Sequence, residues 1–339
     1  MPQFESVIKE LVNQKKHNIY ASLNLSVPKI EKDLFAKEMK RLKIDIVKAN
    51  FEPQRRRILK DMNFDIIFVG NKSSLKAIKG KHSFVIMIYH GIGLKTSYYT
   101  DLSRDMDLIC VESYGREKKL KEKHYNAICT GFPKFDLGIN YNNKVDKKNF
   151  LLYAPTFFPS SLEKTVPFLK QLDHYFIKIK LHHFFWTKTR YINQKNVLEN
   201  EIKKLDNIEI VPFDCYNILN LFFQSDLLIT DFSSTIFEYL IMDKPIIQTR
   251  YYTLRLKYKL FPGLLKKRID FERQNQINFT INCNEPINIS TSIEEALQNP
   301  KRHSNERKTA LSKFIGRIDN NCSKRILNAI SESGISINT

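Results

Sequence analysis

A chain of 339 residues has room for about two domains of roughly 150 residues each, and 42% hydrophobic with 27% charged residues excludes a disordered chain. No apolar run approaches the roughly 18 residues of a membrane-spanning helix, and the opening "MPQFESVIKELVNQKK" lacks the apolar core of a secretory signal, so the expected location is the cytoplasm. A formal net charge of +19 implies an anionic partner: nucleic acid, a membrane surface or a phosphorylated substrate.

The predicted strands of the first half are 18–23 ("NIYASL"), 43–49 ("KIDIVKA"), 65–70 ("DIIFVG"), 84–90 ("FVIMIYH") and 107–113 ("DLICVES"). Amphipathic helices fill the gaps, including 30–42 ("IEKDLFAKEMKRL"). The alternation restarts with strands at 150–156 ("FLLYAPT"), 176–182 ("FIKIKLH"), 208–213 ("IEIVPF"), 226–231 ("DLLITD") and 244–249 ("KPIIQT"). Strands alternating with helices predict an α/β chain of two doubly wound, Rossmann-like domains facing a cleft, with parallel sheets covered on both faces. The polar "NYNNKVDKKN" (140–149) reads as a linker, which gives domains 1–140 and 150–339. The last helices, around 304–332, are able to pack back on the first domain. The five cysteines, Cys110, Cys129, Cys215, Cys283 and Cys322, are scattered, so neither a zinc site nor a disulfide framework is expected.

In open α/β sheets, ligands bind beyond the carboxyl ends of the strands. Three strand ends carry chemistry there. In "YHGIGLK" an apolar strand ends in His90-Gly91; the histidine can take a proton from a hydroxyl near neutral pH, and Lys95 can neutralise a phosphate. A loop histidine of no special role fits as well. In "SDLLITDFSSTIFEYL" a buried strand ends at Asp231, and Ser233 or Ser234 would open the next helix. Free backbone N–H groups at a helix N-terminus favour a phosphate, and Glu238 could meet the hydroxyls of a ribose. An ordinary capping serine explains the same residues. In "KLHHF", Lys180 to Phe184, the strand 176–182 ends at His182 and His183, where one histidine could donate to a phosphate. Two adjacent histidines without a carboxylate make a poor metal site. "LLYAPTFFPSS" adds Thr156, Ser160 and Ser161 as hydroxyl donors, and "CTGFPKFD" reads as a structural turn or hinge.

Taken in order, these segments resemble the CDP-glycerol glycerophosphotransferase family of teichoic acid primases and polymerases. The matching segments are "HGIGLK" (90–95), "TGFPKFD" (130–136), "YAPT" (153–156), "KLH" (180–182), "DFSSTIFE" (231–238) and "KPII" (244–247). The resemblance implies a two-domain fold of the glycosyltransferase-B type, with an acceptor side in 1–140 and a nucleotide-donor side in 150–339. It implies transfer of glycerol phosphate, or a related polyol phosphate, from a CDP-linked donor to a hydroxyl of a lipid-linked or glycan acceptor, releasing CMP. No carboxylate pair or acidic cluster marks a divalent metal site, so no metal and no resident cofactor are expected. The resemblance places His90 as general base and His182 as partner of the pyrophosphate, with Lys95, Thr156, Lys180, Asp231, Ser233, Ser234 and Glu238 on the donor side. Where the family usually has Trp-Arg after Tyr-Ala-Pro-Thr, this chain has Phe157-Phe158, and Glu238 stands for an Asp.

Two other readings stand beside it. One is a sugar-nucleotide glycosyltransferase or epimerase on the same fold. The other is a basic nucleic-acid-binding protein, although no nucleic-acid-binding motif is present and none is expected as a partner. Finally, 251–270 ("YYTLRLKYKLFPGLLKKRID") interleaves Arg255, Lys257, Lys259, Lys266, Lys267 and Arg268 with leucines. Such a segment suits an anionic membrane surface and peripheral attachment to the inner face of the cell membrane, or equally a surface helix over a core.

Overall fold

The structure, a computed structural model, describes residues 2–72, 75–137 and 150–335. The expected linker at 140–149 lies outside the described residues. Contacts divide the chain into two compact units, one of Met1–His90, Tyr98–Ile139 and Ile315–Thr339, the other of Gly91–Ser97 and Asn140–Phe314.

In the first unit, uncharged runs such as "FVIMI" make strands buried on both sides. β1 (Tyr20–Ala21) and β2 (Asp45–Ile46) form a short parallel pair, and β3 (Ile66–Val69), β4 (Phe84–Ile88), β5 (Leu108–Val111) and β6 (Ala127–Cys129) form a parallel sheet in that order. Side chains alternate across a strand. Ile86 and Ile88 of β4 therefore join Leu108 and Cys110 against the helices Pro2–Gln14 and Cys322–Glu332. Val85 and Met87 face the other way, onto Ile109, Leu102 and Leu120. Covering both faces in this way is what makes parallel strands read as continuous apolar runs.

"TGFPKFD" in this unit has a structural role. Asp136 accepts from the backbone N–H groups of Cys322 (3.2 Å) and Ser323 (2.7 Å) and from the Ser323 hydroxyl (2.7 Å). It caps the helix Cys322–Glu332 from outside, where a carboxylate also complements the helix dipole. Gly131 holds φ at +91°, and a Cβ there would meet the Arg325 guanidinium at 3.2 Å, so this turn requires glycine.

The second unit holds a six-stranded parallel sheet of β7 (Phe150–Ala154), β8 (Ile177–Ile179), β9 (Ile208–Ile210), β10 (Ser225–Thr230), β11 (Ile246–Thr249) and β12 (Ile281–Cys283). Its order is β12-β11-β10-β7-β8-β9. This is the doubly wound order in which chain direction across the sheet reverses between β7 and β10, and a ligand crevice opens at that switch point. Leu151, Tyr153, Ile177, Ile179, Leu227 and Ile229 make the core on one face. On β7 and β10 the helix Leu219–Gln224 also packs. The final helices divide: Ser304–Phe314 lies in this unit and Cys322–Glu332 in the other.

The helix expected after Ser234 is a single turn, Thr235–Glu238, continued by a 3-10 turn, Tyr239–Met242. The basic segment holds two short helices, Leu256–Leu260 and Pro262–Arg268, split at the Pro262 ring.

Candidate active site

The second unit gathers polar groups beyond the carboxyl ends of β7, β8 and β10. The organising residue is Asp231, which directly follows β10. Its Oδ1 accepts from the Thr156 N–H (2.8 Å), and its Oδ2 accepts from the Ser161 N–H (2.9 Å) and the Ser161 hydroxyl (3.1 Å). The carboxyl is 0% exposed. Burial pushes it up to about 7, opposed by those donors. Asp231 therefore ties the loop after β7 to the end of β10 across the switch point.

A buried hydrogen-bond chain backs this tie. The Ser161 hydroxyl meets the Tyr153 hydroxyl (2.9 Å), which donates to Thr165 (3.2 Å), which in turn meets Tyr251 (3.2 Å). Thr230 donates to the Ala154 carbonyl (2.7 Å), closing the same seam between β7 and β10. Asp231 therefore lies behind the surface with both oxygens engaged, Ser161 is committed inward to it, and Glu238, 2% exposed, sits inside the unit.

The loop held by Asp231 presents Phe157, and Phe157 collects the rest of the site. The His182 ring lies 4.6 Å from the Phe157 centroid and the Phe184 ring 4.7 Å from it. Lys95 Nζ stands over the same ring at 4.7 Å and the Arg268 guanidinium at 5.8 Å. Behind it, Arg268 and Arg255 lie over Phe158 at 5.4 and 4.5 Å. Lys95 reaches this place because the segment Gly91–Ser97 bridges to Ile269: the Leu94 carbonyl accepts from Asp270 N (3.0 Å) and Thr96 N donates to the Arg268 carbonyl (3.2 Å). Burial first, and repulsion from Arg268 second, lower the Lys95 ammonium to about 8, while Asp231 pulls it upward.

The two histidines hold opposite tautomers. Phe184 N–H donates to Nδ1 of His182 (3.3 Å), which makes Nδ1 an acceptor and leaves the ring proton on Nε2. His90, exposed at the carboxyl end of β4 in the first unit, meets the Gly70 carbonyl through Nδ1 (3.1 Å). A carbonyl only accepts, so this Nδ1 carries the proton and Nε2 is the basic nitrogen.

The remaining expected residues are placed as follows. Thr156 is buried, with its backbone N–H on Asp231. Lys180 follows β8, half-buried, and its N–H bonds the Tyr153 carbonyl (2.8 Å). Ser233 and Ser234 are half-buried; Ser233 Oγ accepts weakly from Thr235 N (3.4 Å), and Ser234 makes no side-chain cap bond. The plain capping role is thus not what Ser234 performs. Among the described residues, no group of three or more His, Cys, Asp or Glu side chains is arranged to hold a metal ion.

Sequence reasoning missed Arg255 and Arg268. Both stood only in the basic segment 251–270, which suited an anionic membrane surface or equally a surface helix over a core. The structure lays them on Phe157 and Phe158, with Arg255 Nη2 donating to the Tyr191 hydroxyl. No local signal marks them, since they stand about a hundred residues further along the chain.

A parallel sheet of this order, with polar groups gathered beyond its strand ends, is a Rossmann-like unit of the kind found in two-domain glycosyltransferase-B folds. Solved structures agree on the fold. The wall teichoic acid polymerase TagF, after a 15 minute soak with CDPG, has a TM-score of 0.64 at 14% identity, covering 97% of this chain and 93% of that one. S. aureus MnaA in a co-structure with UDP gives 0.62 at 15%, covering 98% and 93%. The chain belongs to the CDP-Glycerol:Poly(glycerophosphate) glycerophosphotransferase family, whose profile matches residues 4–332. The teichoic acid glycerol-phosphate primase of Bacillus subtilis (strain 168) is 31% identical over 178 residues, 50% of this chain and 42% of that protein. The primase of Bacillus spizizenii (strain ATCC 23059 / NRRL B-14472 / W23) is 32% identical over 139 residues, 39% of this chain and 32% of that protein. The matched segments thus span less than half the length of these curated relatives.

Proposed function

We propose that the chain transfers glycerol phosphate, or a related polyol phosphate, from a CDP-linked donor to a hydroxyl of a lipid-linked or glycan acceptor. The observation that carries this reading is the gathering of Lys95, His182 and Arg268 around Phe157, beyond the strand ends of a unit that belongs to this family. The acceptor oxygen attacks the phosphorus that bears the polyol, and its proton passes to Nε2 of His90. The bond from that phosphorus to the bridging oxygen breaks, and CMP leaves with the electron pair. The Nε2–H of His182 and the ammonium of Lys95 offset the charge that develops on the leaving phosphate. Ser233, Ser234, Thr156 and Lys180 complete the donor side. The anhydride of the donor supplies the driving force, so the reaction needs no cofactor. Incubation with CDP-glycerol, CDP-ribitol and UDP-hexoses tests the donor class: CMP release from a CDP-polyol is expected, and UDP release alone would establish the glycosyltransferase reading instead.

Lys95 gives this reading a pH signature. Its ammonium is charged below about 8 and is lost as pH rises through that value. The groups bearing on it are Arg268 and Asp231, and His182 shares its aromatic ring. CDP affinity is expected to fall above pH 8 in the native protein, and Lys95→Arg is expected to remove that fall because a guanidinium stays charged. Calorimetric titrations across this range check it; an identical pH profile in the variant would take Lys95 out of the site.

The acceptor reading includes an anionic membrane surface. Leu256, Leu260 and Phe261 are 69%, 63% and 62% exposed, beside the exposed Lys257, Lys259, Lys266 and Lys267. Anionic lipid attracts such lysines at roughly 1 kcal/mol each, and the apolar side chains add shallow insertion. Among the described residues no helix is long and apolar enough to cross a membrane. Binding to anionic vesicles is expected to weaken with salt and on changing Lys259, Lys266 and Lys267 to Glu. Co-sedimentation indifferent to both removes this surface from the proposal.

A further inference from the structure

We infer that Arg268 and Lys95 form a two-cation clamp for a nucleoside diphosphate, seated over Phe157 at the carboxyl ends of β7 and β8. The inference rests on the donor reading above and names its diphosphate contacts.

The Arg268 side chain makes no hydrogen bond or ion pair among the described residues, and its buried Nε lacks a partner. A desolvated guanidinium donor left unpaired is costly to keep. Its charge also stands near that of Lys95, both over one ring at 5.8 and 4.7 Å. Burial first, and repulsion from Arg268 second, lower the Lys95 ammonium. The carboxylate that acts on Lys95 is Asp231, and its oxygens are taken by Thr156 and Ser161. The aromatic ring therefore holds two positive groups, and the carboxylate that acts on Lys95 is already engaged. An anion placed between them relieves the repulsion and satisfies the orphaned Nε in one step. The Nε of Arg255 also lacks a partner, but its Nη2 bonds the Tyr191 hydroxyl and its guanidinium lies over Phe158.

The chemistry selects the anion. A planar guanidinium binds two phosphate oxygens side by side, and an ammonium adds a compact charge. Two cations match the two phosphates of a diphosphate better than the single phosphate of CMP. The site would hold the donor and release the monophosphate product.

Calorimetric titration of the whole chain with CDP, CMP and inorganic pyrophosphate tests this. The native protein is expected to prefer CDP over CMP, and Arg268→Gln to shrink that preference by about 10-fold or more, the scale of a lost charge-assisted bond. Arg268→Lys is expected to recover part of it. Lys95→Gln is expected to act in the same direction, which keeps the test open if Arg268→Gln fails to fold by circular dichroism. Lys308→Gln, an exposed charge elsewhere in the unit, controls for net charge and is expected to change nothing. An unchanged CDP to CMP ratio in Arg268→Gln and Lys95→Gln overturns the clamp while leaving the donor reading intact. Pyrophosphate binding that depends on Arg268 without any preference for cytidine nucleotides upholds the clamp and sinks the CDP donor. No binding of any of the three overturns both.

Discussion

His90→Ala is expected to lower transfer by about 100-fold or more, the usual scale for loss of a general base. The ring is exposed at the end of β4, so its removal opens no cavity, and melting temperature is expected to stay unchanged. The Gly70 carbonyl fixes Nδ1 as the protonated nitrogen and turns Nε2 into the base. His90→Asn keeps a polar side chain near the Gly70 carbonyl and places no base, so it is expected to be as slow as the alanine variant. CDP affinity is expected to be unaffected, because His90 lies in the unit that does not carry the Phe157 cluster. Single-turnover rates with saturating donor, beside CDP titrations, separate these quantities. Near-native transfer by purified His90→Ala would remove this histidine from the mechanism.

The parts of the molecule that were legible in the sequence are those whose signal is local. "FVIMI" and "FLLYA" are strands because five adjacent uncharged residues have no solvent face to offer, and both are buried as such. His90, Lys95, His182 and Ser233 were legible as candidates because each comes after such a run, where ligands of an α/β sheet bind. β6 ("AIC") and β12 ("INC") were not: Asn126 and Thr130 cut the first run short, and Thr280, Asn282 and Asn284 interrupt the second. Arg255 and Arg268 were missed for a different reason. In a run of alternating leucine and lysine, only tertiary packing decides which cation turns inward. Leu265 is buried and Leu264 exposed, although neither differs from the other in type. The acid at the end of β10 had the same ambiguity: a strand-terminal aspartate can face a ligand or fasten a loop, and only the positions of Thr156 and Ser161 decide between them.

Asp231→Ala should show what that fastening contributes. The substitution removes three hydrogen bonds and leaves the buried N–H groups of Thr156 and Ser161 without an acceptor. At about 1–3 kcal/mol for each orphaned buried donor, the loss of stability is expected to be roughly 2–6 kcal/mol. The sign of its pH dependence follows from the carboxyl. Its ordinary value is about 4, and in the folded chain burial raises it to about 7. Across that window the folded state holds a proton that the unfolded state has lost, so this group's contribution to stability falls as pH rises and levels off above 7. The alanine variant lacks the slope, and the gap between native and variant is expected to narrow from pH 5 to pH 8. Denaturant melts at the two pH values measure it. The loop that Asp231 holds carries Phe157, on which His182, Lys95 and Arg268 converge. CDP affinity is therefore expected to drop with the loop even where the variant remains folded. A variant that melts like the native protein and binds CDP equally well would show that the loop keeps its place without Asp231, and the switch point would then owe its order to the Thr230–Ala154 seam instead.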